Sequence, residues 1–297
     1  MKITKAVITA ASPGQRSIPL QTVVAPDGVT KPVLAILADE VAASGIEELC
    51  VITVPGDERR YAEAMGPHAC RLHFIAQPEP RGYGDAYYCA RDFAAGSPIL
   101  HLVGDHLYVS STGRSCAKAL VSLAEAEGCS VSAVQTTREG LLPSFGAVGG
   151  RRVTGVPGVY KVDSVLEKPT PTEAEQKILI PGLRAGHYLC FFGMHVLTPA
   201  VMDILGRQLA TAADPRLVTL SGALNEVVRH EQYLAIENWQ RRYDIGSRYG
   251  LMFAQLALSL QGGDRDEILF QLLELVADRE LARSFQRQDV GSGINVE

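Results

Sequence analysis

Short apolar segments alternate with helix-like segments through the first half of the chain, and this alternation restricts the fold more than any other feature. The apolar segments have the length of strands and lie at residues 6–10, 48–53, 72–76, 99–103 and 131–135. The segments between them repeat apolar residues at intervals of three and four, which predicts helices at residues 33–43, 85–93 and 117–126. Strands that alternate with helices favour an α/β fold in which a mostly parallel sheet is covered by helices on both faces.

The rhythm of the sequence changes after about residue 140. Strand-like segments at residues 146–148, 159–165 and 188–195 follow one another with few helices between them. Apolar residues at helical spacing then predict two final helices, at residues 251–260 and 267–277, whose apolar faces suit either core packing or a subunit interface. Because the sequence contains no internal repeat and no long linker, we expect a single domain over residues 1–297.

Composition and charge argue against several classes of function. The 297 residues include 46% hydrophobic and 21% charged residues, which is typical of globular proteins. The net charge of −5 lacks the basic excess that nucleic-acid binding needs. No run of about 18 apolar residues, the usual minimum for a membrane span, is present. The six cysteines form no C-x-x-C pair, so we expect reduced thiols. Charge, apolar runs and cysteines together predict a cytoplasmic protein without nucleic-acid or membrane partners.

In an open α/β sheet, ligands bind beyond the carboxyl ends of the strands, so the loops after the predicted strands are candidate binding segments. Residues 10–19 combine small residues, which let backbone N–H groups approach an anion, with Arg16, which can hold phosphate oxygens. Residues 77–86 place two glycines before a helix, and the amide of Gln77 can both donate to and accept from the edge of a base. Each loop taken alone is also typical of an ordinary turn.

Two carboxylates in distant parts of the sequence are candidates for a metal site. Asp105 follows a glycine at the end of the fourth predicted strand, which is a good place for a Mg²⁺ ligand, and Asp244 lies beside a tight turn. The spacing does not establish that the two meet, and each is equally typical of a turn aspartate. Glu167 and Lys168 end another strand, where an exposed ion pair is the usual explanation.

The order of these motifs along the chain is more specific than any one of them. An A-A-x-x-G-x-R-x-x-P loop begins at Ala10, a Lys-Pro pair precedes the first helix, and Q-x-E-x-x-G-x-G-x-A begins at Gln77. The motifs that follow are Gly-Asp, F-G-x-V, E-K-P and Y-D-I-G-S, at residues 104–105, 145–148, 167–169 and 243–247. This order resembles that of the sugar-phosphate nucleotidyltransferases, and within them the bacterial UTP–glucose-1-phosphate uridylyltransferases. The resemblance covers about residues 4–260.

The resemblance implies a Rossmann-like α/β fold with a mixed, mostly parallel sheet flanked by helices. It implies a nucleotide-binding half at about residues 1–140, an inserted sugar-side β region at about residues 141–250 and C-terminal helices at about residues 251–280. The implied reaction is attack by an oxygen of glucose 1-phosphate on the α-phosphorus of UTP, which expels pyrophosphate, with Mg²⁺ as cofactor. A homo-oligomer is also implied, because relatives in this family often assemble.

By the same resemblance, each motif residue takes a role. The residues implied to bind the nucleotide are Ala10, Ala11, Gly14, Gln77, Gly82 and Asp105, and those implied to bind the sugar phosphate are Gly146, Glu167 and Lys168. Arg16, Asp105 and Lys168 would be the catalytic residues, with Arg16 holding the leaving phosphates and Lys168 offsetting the charge of the sugar phosphate. Asp105 and Asp244 would bind Mg²⁺.

Three features depart from the family pattern. Ser12 and Gln15 replace residues of the usual A-A-G-x-G-T-R loop, and Pro13 removes a backbone donor from the phosphate-binding segment. Gln21 is the nearest match to a lysine that normally contacts the phosphates. Asp85 stands where a histidine or glutamine is common, and its charge would be unfavourable beside a triphosphate unless it binds metal or points away.

These departures leave two alternatives open. The protein could use dTTP or another sugar 1-phosphate, since the matched residues do not fix the base or the sugar. It could also be a nucleotide-sugar-binding regulatory protein that has lost turnover. The retention of both Asp105 and Asp244 favours an active enzyme, because a binding protein has little use for two metal-binding carboxylates.

Overall fold

The computed structural model of the protein describes residues 1–12, 14, 16–110, 114–237 and 241–291, with side chains through residue 280. The strands in this part of the chain are β1 (Lys5–Thr9), β2 (Thr22–Val24), β3 (Thr30–Pro32), β4 (Glu48–Thr53), β5 (Arg71–Ala76), β6 (Ile99–Val103), β7 (His106–Val109), β8 (Ser130–Arg138), β9 (Ala147–Arg152), β10 (Val159–Leu166), β11 (His187–Leu197), β12 (Tyr233–Glu237) and β13 (Arg241–Asp244). The α-helices are α1 (Val33–Ala43), α2 (Glu58–Met65), α3 (Tyr83–Tyr88), α4 (Arg91–Ala94), α5 (Cys116–Glu127), α6 (Pro171–Lys177), α7 (Pro199–Thr211), α8 (Leu220–Val227), α9 (Gly250–Ser259) and α10 (Arg265–Gly291).

A nine-stranded sheet in the order β5-β4-β1-β6-β11-β8-β12-β10-β9 forms the centre of the fold. Strands β5, β4, β1 and β6 pair in parallel, and β8 pairs in parallel with β12. Only β10 and β11 run against the other strands of this sheet, because each of their pairings is antiparallel. The predicted α/β fold with a mixed, mostly parallel sheet is therefore confirmed.

Helices cover both faces of the sheet. Alternate residues of a strand point to opposite faces, and in β1 the side chains of Ala6 and Ile8 pack in the same cluster as α1, α2, α5 and α9. Val7, between them, packs in a second cluster with α3, α7 and α8. A strand buried on both faces needs a nearly continuous apolar sequence, which explains the run Ala-Val-Ile in β1.

The second half of the chain corrects one sequence-based prediction. Few helices were expected among its strands, but α6, α7 and α8 lie there. The first of them starts with a capping box, in which the side chains of Thr170 and Glu173 each accept a hydrogen bond from the backbone N–H of the other residue. Such a T-x-x-E pattern, and the Thr-Pro step before α7, are signals of helix starts that the sequence contains.

Two helix boundaries also differ from the predictions. The helix expected at residues 85–93 is divided into α3 and α4, because the N–H of Ala90 bonds to the carbonyl of Tyr87 in a tighter turn that ends α3. The final helix extends well beyond the expected residue 277, to Gly291. Residues 278–287 are rich in Arg, Glu, Leu and Ala, which propagate a helix readily.

All six cysteines remain thiols, as the sequence predicted. In the part of the chain with described coordinates, no helix has the length and apolar character needed to cross a membrane.

Candidate active site

The carboxyl ends of β1, β5 and β6 lie at one edge of the sheet and open into a cavity of about 540 Å³. Because these strands are parallel, the loops that follow them reach the same place. The predicted site residues that line the cavity are Ala10, Ala11, Gln77, Gly82, Asp105, Lys168 and Asp244. The structure thus brings together residues from distant parts of the sequence, such as Ala10 and Asp244.

Gly104 lets the ends of two strands approach each other beside the cavity. A Cβ atom on this residue would lie 2.9 Å from the carbonyl oxygen of Thr9 and 3.1 Å from the Cβ of Ala10. Both distances are shorter than ordinary contacts, so only glycine fits here without a shift of the backbone. The close approach places Asp105, the next residue, directly beside the loop that follows β1.

A short antiparallel pair of strands brings the two candidate metal ligands together. Strands β7 and β13 pair so that Asp244 lies opposite His106, and the N–H of Ile245 donates to the carbonyl of Asp105 at 2.9 Å. One ligand atom from each of Asp105, His106 and Asp244 lies within 4.8 Å of the other two, and all three residues are half-buried.

The chemistry of this cluster fits a Mg²⁺ ion. Carboxylate oxygens are the protein ligands that Mg²⁺ prefers, and Asp105 and Asp244 supply them. The imidazole of His106 is a poorer ligand for this cation, but its Nδ1 lies 2.7 Å from Oδ1 of Asp105 and orients that carboxylate. No role was assigned to His106 from the sequence, because its role depends on the β7–β13 pairing.

A second cavity of about 140 Å³ adjoins the first and shares Tyr83, Phe145 and Lys168 with it. The predicted sugar-side residues Gly146 and Glu167 line this second cavity. Glu167 accepts a hydrogen bond from the hydroxyl of Ser221, which lies in α8. A Cβ on Gly146 would lie 2.7 Å from both the ring of Phe191 and the Ser221 hydroxyl, so glycine is required at this position.

Lys168 stands at the boundary between the two cavities in an unusual backbone conformation. Its φ is +45°, in the left-handed region that residues with a side chain seldom adopt. Such conformations cluster at functional sites, where the surrounding structure holds them. No described residue forms an ion pair with its ammonium group, so the charge of Lys168 is available to a ligand in either cavity.

Arg242 is a second cation on the smaller cavity, and it was not assigned a role from the sequence. Its guanidinium lies 3.8 Å from the centre of the Phe145 ring and donates to the carbonyl of Phe191. Burial lowers the pKa of Arg242 from its usual value, although Asp244 and Asp105 act in the opposite direction. The Arg-Tyr-Asp motif therefore contributes both a carboxylate of the candidate metal cluster and a half-buried cation.

Tyr83 also lines both cavities, and its hydroxyl is hydrogen-bonded to a buried histidine, His101. The hydroxyl lies 3.3 Å from Nδ1 of His101, whose Nε2 is 3.2 Å from the hydroxyl of Thr9. Although 38% of the Tyr83 surface is exposed, the protein packed around it and the charges of Asp105 and Glu167 raise the pKa of Tyr83 above its usual value. Tyr83 is therefore a neutral hydrogen-bonding group at the junction of the cavities.

Two predicted residues of the first loop do not line either cavity. Gly14 is exposed, and the guanidinium of Arg16 is paired with Asp57, with Nε of Arg16 2.8 Å from Oδ2 of Asp57. The hydroxyl of Tyr61 donates to the carbonyl of Arg16 at 2.7 Å and fixes the backbone as well. The expected contact of Arg16 with a leaving phosphate would require this ion pair to open.

The departures from the family pattern are partly explained by the structure. Pro13 and Gln15 lie outside the described residues. Gln21 follows a short 3₁₀ helix, Ile18–Leu20, and lines neither cavity. Its amide therefore does not occupy the position in the cavity that the family lysine was expected to take. Asp85 is buried and paired with Arg81 at 3.0 Å, so its charge is balanced, and it is not one of the three residues of the candidate metal cluster.

Known proteins are similar to this chain in both sequence and fold. Residues 5–259 match the family described as Nucleotidyl transferase. A UTP–glucose-1-phosphate uridylyltransferase from Streptococcus pyogenes serotype M3 is 29% identical over 289 aligned residues, which cover 88% of this chain and 90% of that protein.

Solved structures of UDP-glucose pyrophosphorylases have a similar fold. One in complex with UDP-glucose has a TM-score of 0.70 at 20% identity and covers 86% of this chain and 98% of its own. Another, from Acinetobacter baumannii, has a TM-score of 0.71 at 20% identity and covers 92% and 99%. The family that the order of motifs predicted is confirmed by the match over residues 5–259, and the chain belongs to the nucleotidyl transferase family.

Proposed function

We propose that this protein is a Mg²⁺-dependent UTP–glucose-1-phosphate uridylyltransferase, which makes UDP-glucose and pyrophosphate. The observation that carries the proposal is the pair of adjoining cavities with Lys168 at their boundary and Asp105 and Asp244 on the larger one. Two substrates that react with each other need two adjoining sites, and two phosphates need cations where they meet. The similarity to uridylyltransferases supports the choice of UTP and glucose 1-phosphate.

The larger cavity is assigned to the nucleotide. The small side chains of Ala10 and Ala11 allow a ligand to lie close to the backbone after β1. Gln77 and Gly82 lie on the same cavity and are the candidates for base recognition, and Asp105 is near the phosphate end. In this proposal the base lies against Gln77 and Gly82, and the phosphates lie toward Asp105.

The smaller cavity is assigned to the sugar phosphate. Glu167 offers a carboxylate that accepts hydrogen bonds, as sugar hydroxyls require, and Lys168 lies where the phosphate would approach the nucleotide. Arg242 adds a half-buried positive charge on the same wall.

The reaction needs alignment and charge neutralisation more than proton transfer. A phosphate monoester carries nearly two negative charges at neutral pH, so its oxygen can attack without a general base. A bond forms between this oxygen and the α-phosphorus, while the bond from the α-phosphorus to the bridging oxygen breaks and pyrophosphate leaves. Lys168 reduces the repulsion between the two phosphates. When bound at Asp105 and Asp244, Mg²⁺ would supply neutralisation of charge on the phosphate oxygens.

Pyrophosphate release from purified protein with Mg²⁺, UTP and glucose 1-phosphate tests the proposal. Release that requires the sugar phosphate and is faster with UTP than with dTTP is expected. Faster release with dTTP or another sugar 1-phosphate would change the substrates that we propose but not the type of reaction. If folded protein binds UDP-glucose and releases no pyrophosphate with any pair, the enzyme proposal fails in favour of a regulatory binding protein.

Replacing Lys168 with Ala is expected to weaken glucose 1-phosphate more than UTP. Loss of a charged contact to a phosphate should raise the KM for glucose 1-phosphate roughly 10- to 100-fold, with a smaller change for UTP. Steady-state kinetics with each substrate varied in turn measure the two effects. Lys161→Ala, at an exposed residue of β10 outside both cavities, is the control. Equal losses for both substrates would contradict the placement of Lys168 on the sugar side.

We also propose that the protein forms a homo-oligomer through its C-terminal helices. Apolar side chains of α9 and α10 remain exposed in the isolated chain, among them Met252, Phe253, Phe270 and Leu273. A second copy of the same surface would remove them from water. Light scattering should give a mass that is a multiple of 32.0 kDa, and a monomer at micromolar concentration would contradict the proposal.

A further inference from the structure

The side-chain amide of Gln77 is fixed by two neighbours on the floor of the larger cavity. Its Nε2 donates to the carbonyl of Gly82 at 3.2 Å and to Oδ2 of Asp85 at 2.7 Å. Gln77 is 5% exposed and Asp85 is 2% exposed, so water does not compete for these bonds. The other oxygen of Asp85, Oδ1, lies 3.0 Å from Arg81, which balances its charge.

The chemistry of these neighbours allows only one orientation of the Gln77 amide. A backbone carbonyl and an ionised carboxylate can accept hydrogen bonds but cannot donate them. Both hydrogens of the Gln77 NH₂ group are therefore used within the protein, and the NH₂ group cannot turn toward a ligand without losing two bonds. No described residue donates to the Oε1 atom of Gln77, which is left as the polar atom that the amide offers to the cavity.

We propose that Asp85 is a positioning residue for base recognition, which makes Gln77 a pure hydrogen-bond acceptor toward the nucleotide. An acceptor at this point matches the N3–H group of uracil. It does not match cytosine, whose N3 is itself an acceptor. This inference rests on the proposed function, because it assumes that a pyrimidine base lies against Gln77. Positioning of Gln77 would explain why an aspartate occupies position 85, where a buried charge would otherwise be unfavourable in a nucleotide site.

The Asp85→Asn substitution should reverse the orientation of the Gln77 amide. Arg81 can only donate hydrogen bonds, so it will hold the Oδ1 atom of the new asparagine and leave the asparagine NH₂ facing Gln77. Turning the Gln77 amide then sets its oxygen against the asparagine NH₂ and its NH₂ toward the cavity, with loss of the weaker bond to the carbonyl of Gly82. The site would thereby change from one that accepts a hydrogen bond to one that donates, which suits the N3 atom of cytosine.

The test is the affinity of the wild-type protein and of Asp85→Asn for UTP and CTP, measured by titration calorimetry without a sugar substrate. The wild type is expected to bind UTP at least about tenfold more tightly than CTP, since one matched hydrogen bond is worth about that factor. In Asp85→Asn this ratio should fall about tenfold or more, with CTP affinity rising as UTP affinity falls. A merely structural role for Asp85 would weaken both nucleotides together.

Asp92→Asn is the matched control, because Asp92 lies in the neighbouring helix α4, is exposed and pairs with an adjacent arginine. It should leave the UTP-to-CTP ratio unchanged. An unchanged ratio in folded Asp85→Asn overturns the inference, as does a wild-type protein that binds UTP no more tightly than CTP. Thermal unfolding of each variant establishes that it is folded.

A second measurement needs no variant and therefore stands even if Asp85→Asn does not fold. UTP methylated at N3 has no donor for the Gln77 oxygen, and the wild type should bind it at least about tenfold more weakly than UTP. Equal affinity for the two compounds overturns the inference. Because these affinities are measured without turnover, failure of pyrophosphate release would defeat the proposed function and leave this result readable.

Discussion

Replacing Asp105 with Asn is expected to lower turnover about 100- to 1000-fold, the loss seen when one preorganised electrostatic contact to a transition state is removed. Asp105 and Asp244 are the two carboxylates of the candidate metal site, and the substitution removes half of its negative charge. The fold should persist, because asparagine has the same shape and its amide oxygen can still accept the hydrogen bond that now joins Asp105 to His106.

The measurement is the rate of pyrophosphate release as a function of Mg²⁺ concentration, together with the midpoint of thermal unfolding. Asp278→Asn, at an exposed residue of α10, provides a control with the same chemical change far from both cavities. The variant should need more Mg²⁺ than the wild type and should remain slow at saturation. Turnover like that of the wild type in Asp105→Asn would refute the metal assignment, whereas a large fall in unfolding temperature would assign the residue to the fold.

Part of the fold could be predicted from the sequence because local patterns determine it. The predicted bounds of α1, β4 and β6 agree with the structure residue by residue. Each of these elements is mostly apolar or has a clear helical repeat, and each is followed by a glycine-containing turn. The short helices α6 and α8 have too few turns to produce such a repeat, so only their capping residues mark them.

The candidate site was harder to predict, because tertiary contacts assemble it. The sequence identified Asp105 and Asp244 but could not show that they meet, since their meeting depends on the register of β7 with β13. His106 and Arg242 join the site through the same pairing and had no separate signal. The ion pair between Arg16 and Asp57 is also tertiary, and it separates Arg16 from the cavity that the motif implied.

Asp85 shows how a departure from a family pattern can be resolved by its surroundings. From the sequence alone, a carboxylate at position 85 was expected to be unfavourable beside a triphosphate unless it bound metal or pointed away. In the structure Asp85 lies between Arg81 and Gln77 and is not one of the three residues of the candidate metal cluster. In the function that we propose, the departure therefore bears on which hydrogen bonds the base can make.

Two buried histidines beneath the site should make the protein unstable in acid. His101 and His195 lie opposite each other in β6 and β11, and their rings stack with centres 5.9 Å apart. Burial lowers the pKa of His195 to about 3, and burial with the neighbouring imidazole of His195 lowers the pKa of His101 well below its usual value. The hydroxyl of Ser132 lies 2.6 Å from Nδ1 of His195, which agrees with a structural role for this buried imidazole.

The direction of the pH effect follows from these lowered pKa values. In the unfolded chain both histidines take up a proton near pH 6.5, but in the folded protein they stay neutral, so the unfolded state gains stability as the pH falls. The free energy of unfolding should therefore be almost unaffected by this pair above about pH 7 and should fall at lower pH, with a slope that approaches about 1.4 kcal/mol per pH unit for each histidine below about pH 6. At pH 5 the loss is about 2 kcal/mol for each, relative to pH 7.

Urea unfolding of the wild type and of His195→Asn at several pH values between 5 and 8 measures this effect. Asparagine cannot take up a proton and can place a polar atom near the position of Nδ1, so the variant keeps a partner for Ser132. Its unfolding free energy should fall less steeply below pH 6.5 than that of the wild type. The difference in slope should be the contribution of one histidine, about 1.4 kcal/mol per pH unit at most. The same substitution at exposed His230 should leave the slope unchanged. Parallel curves for the wild type and His195→Asn would show that His195 takes up a proton as readily in the folded protein as in the unfolded chain.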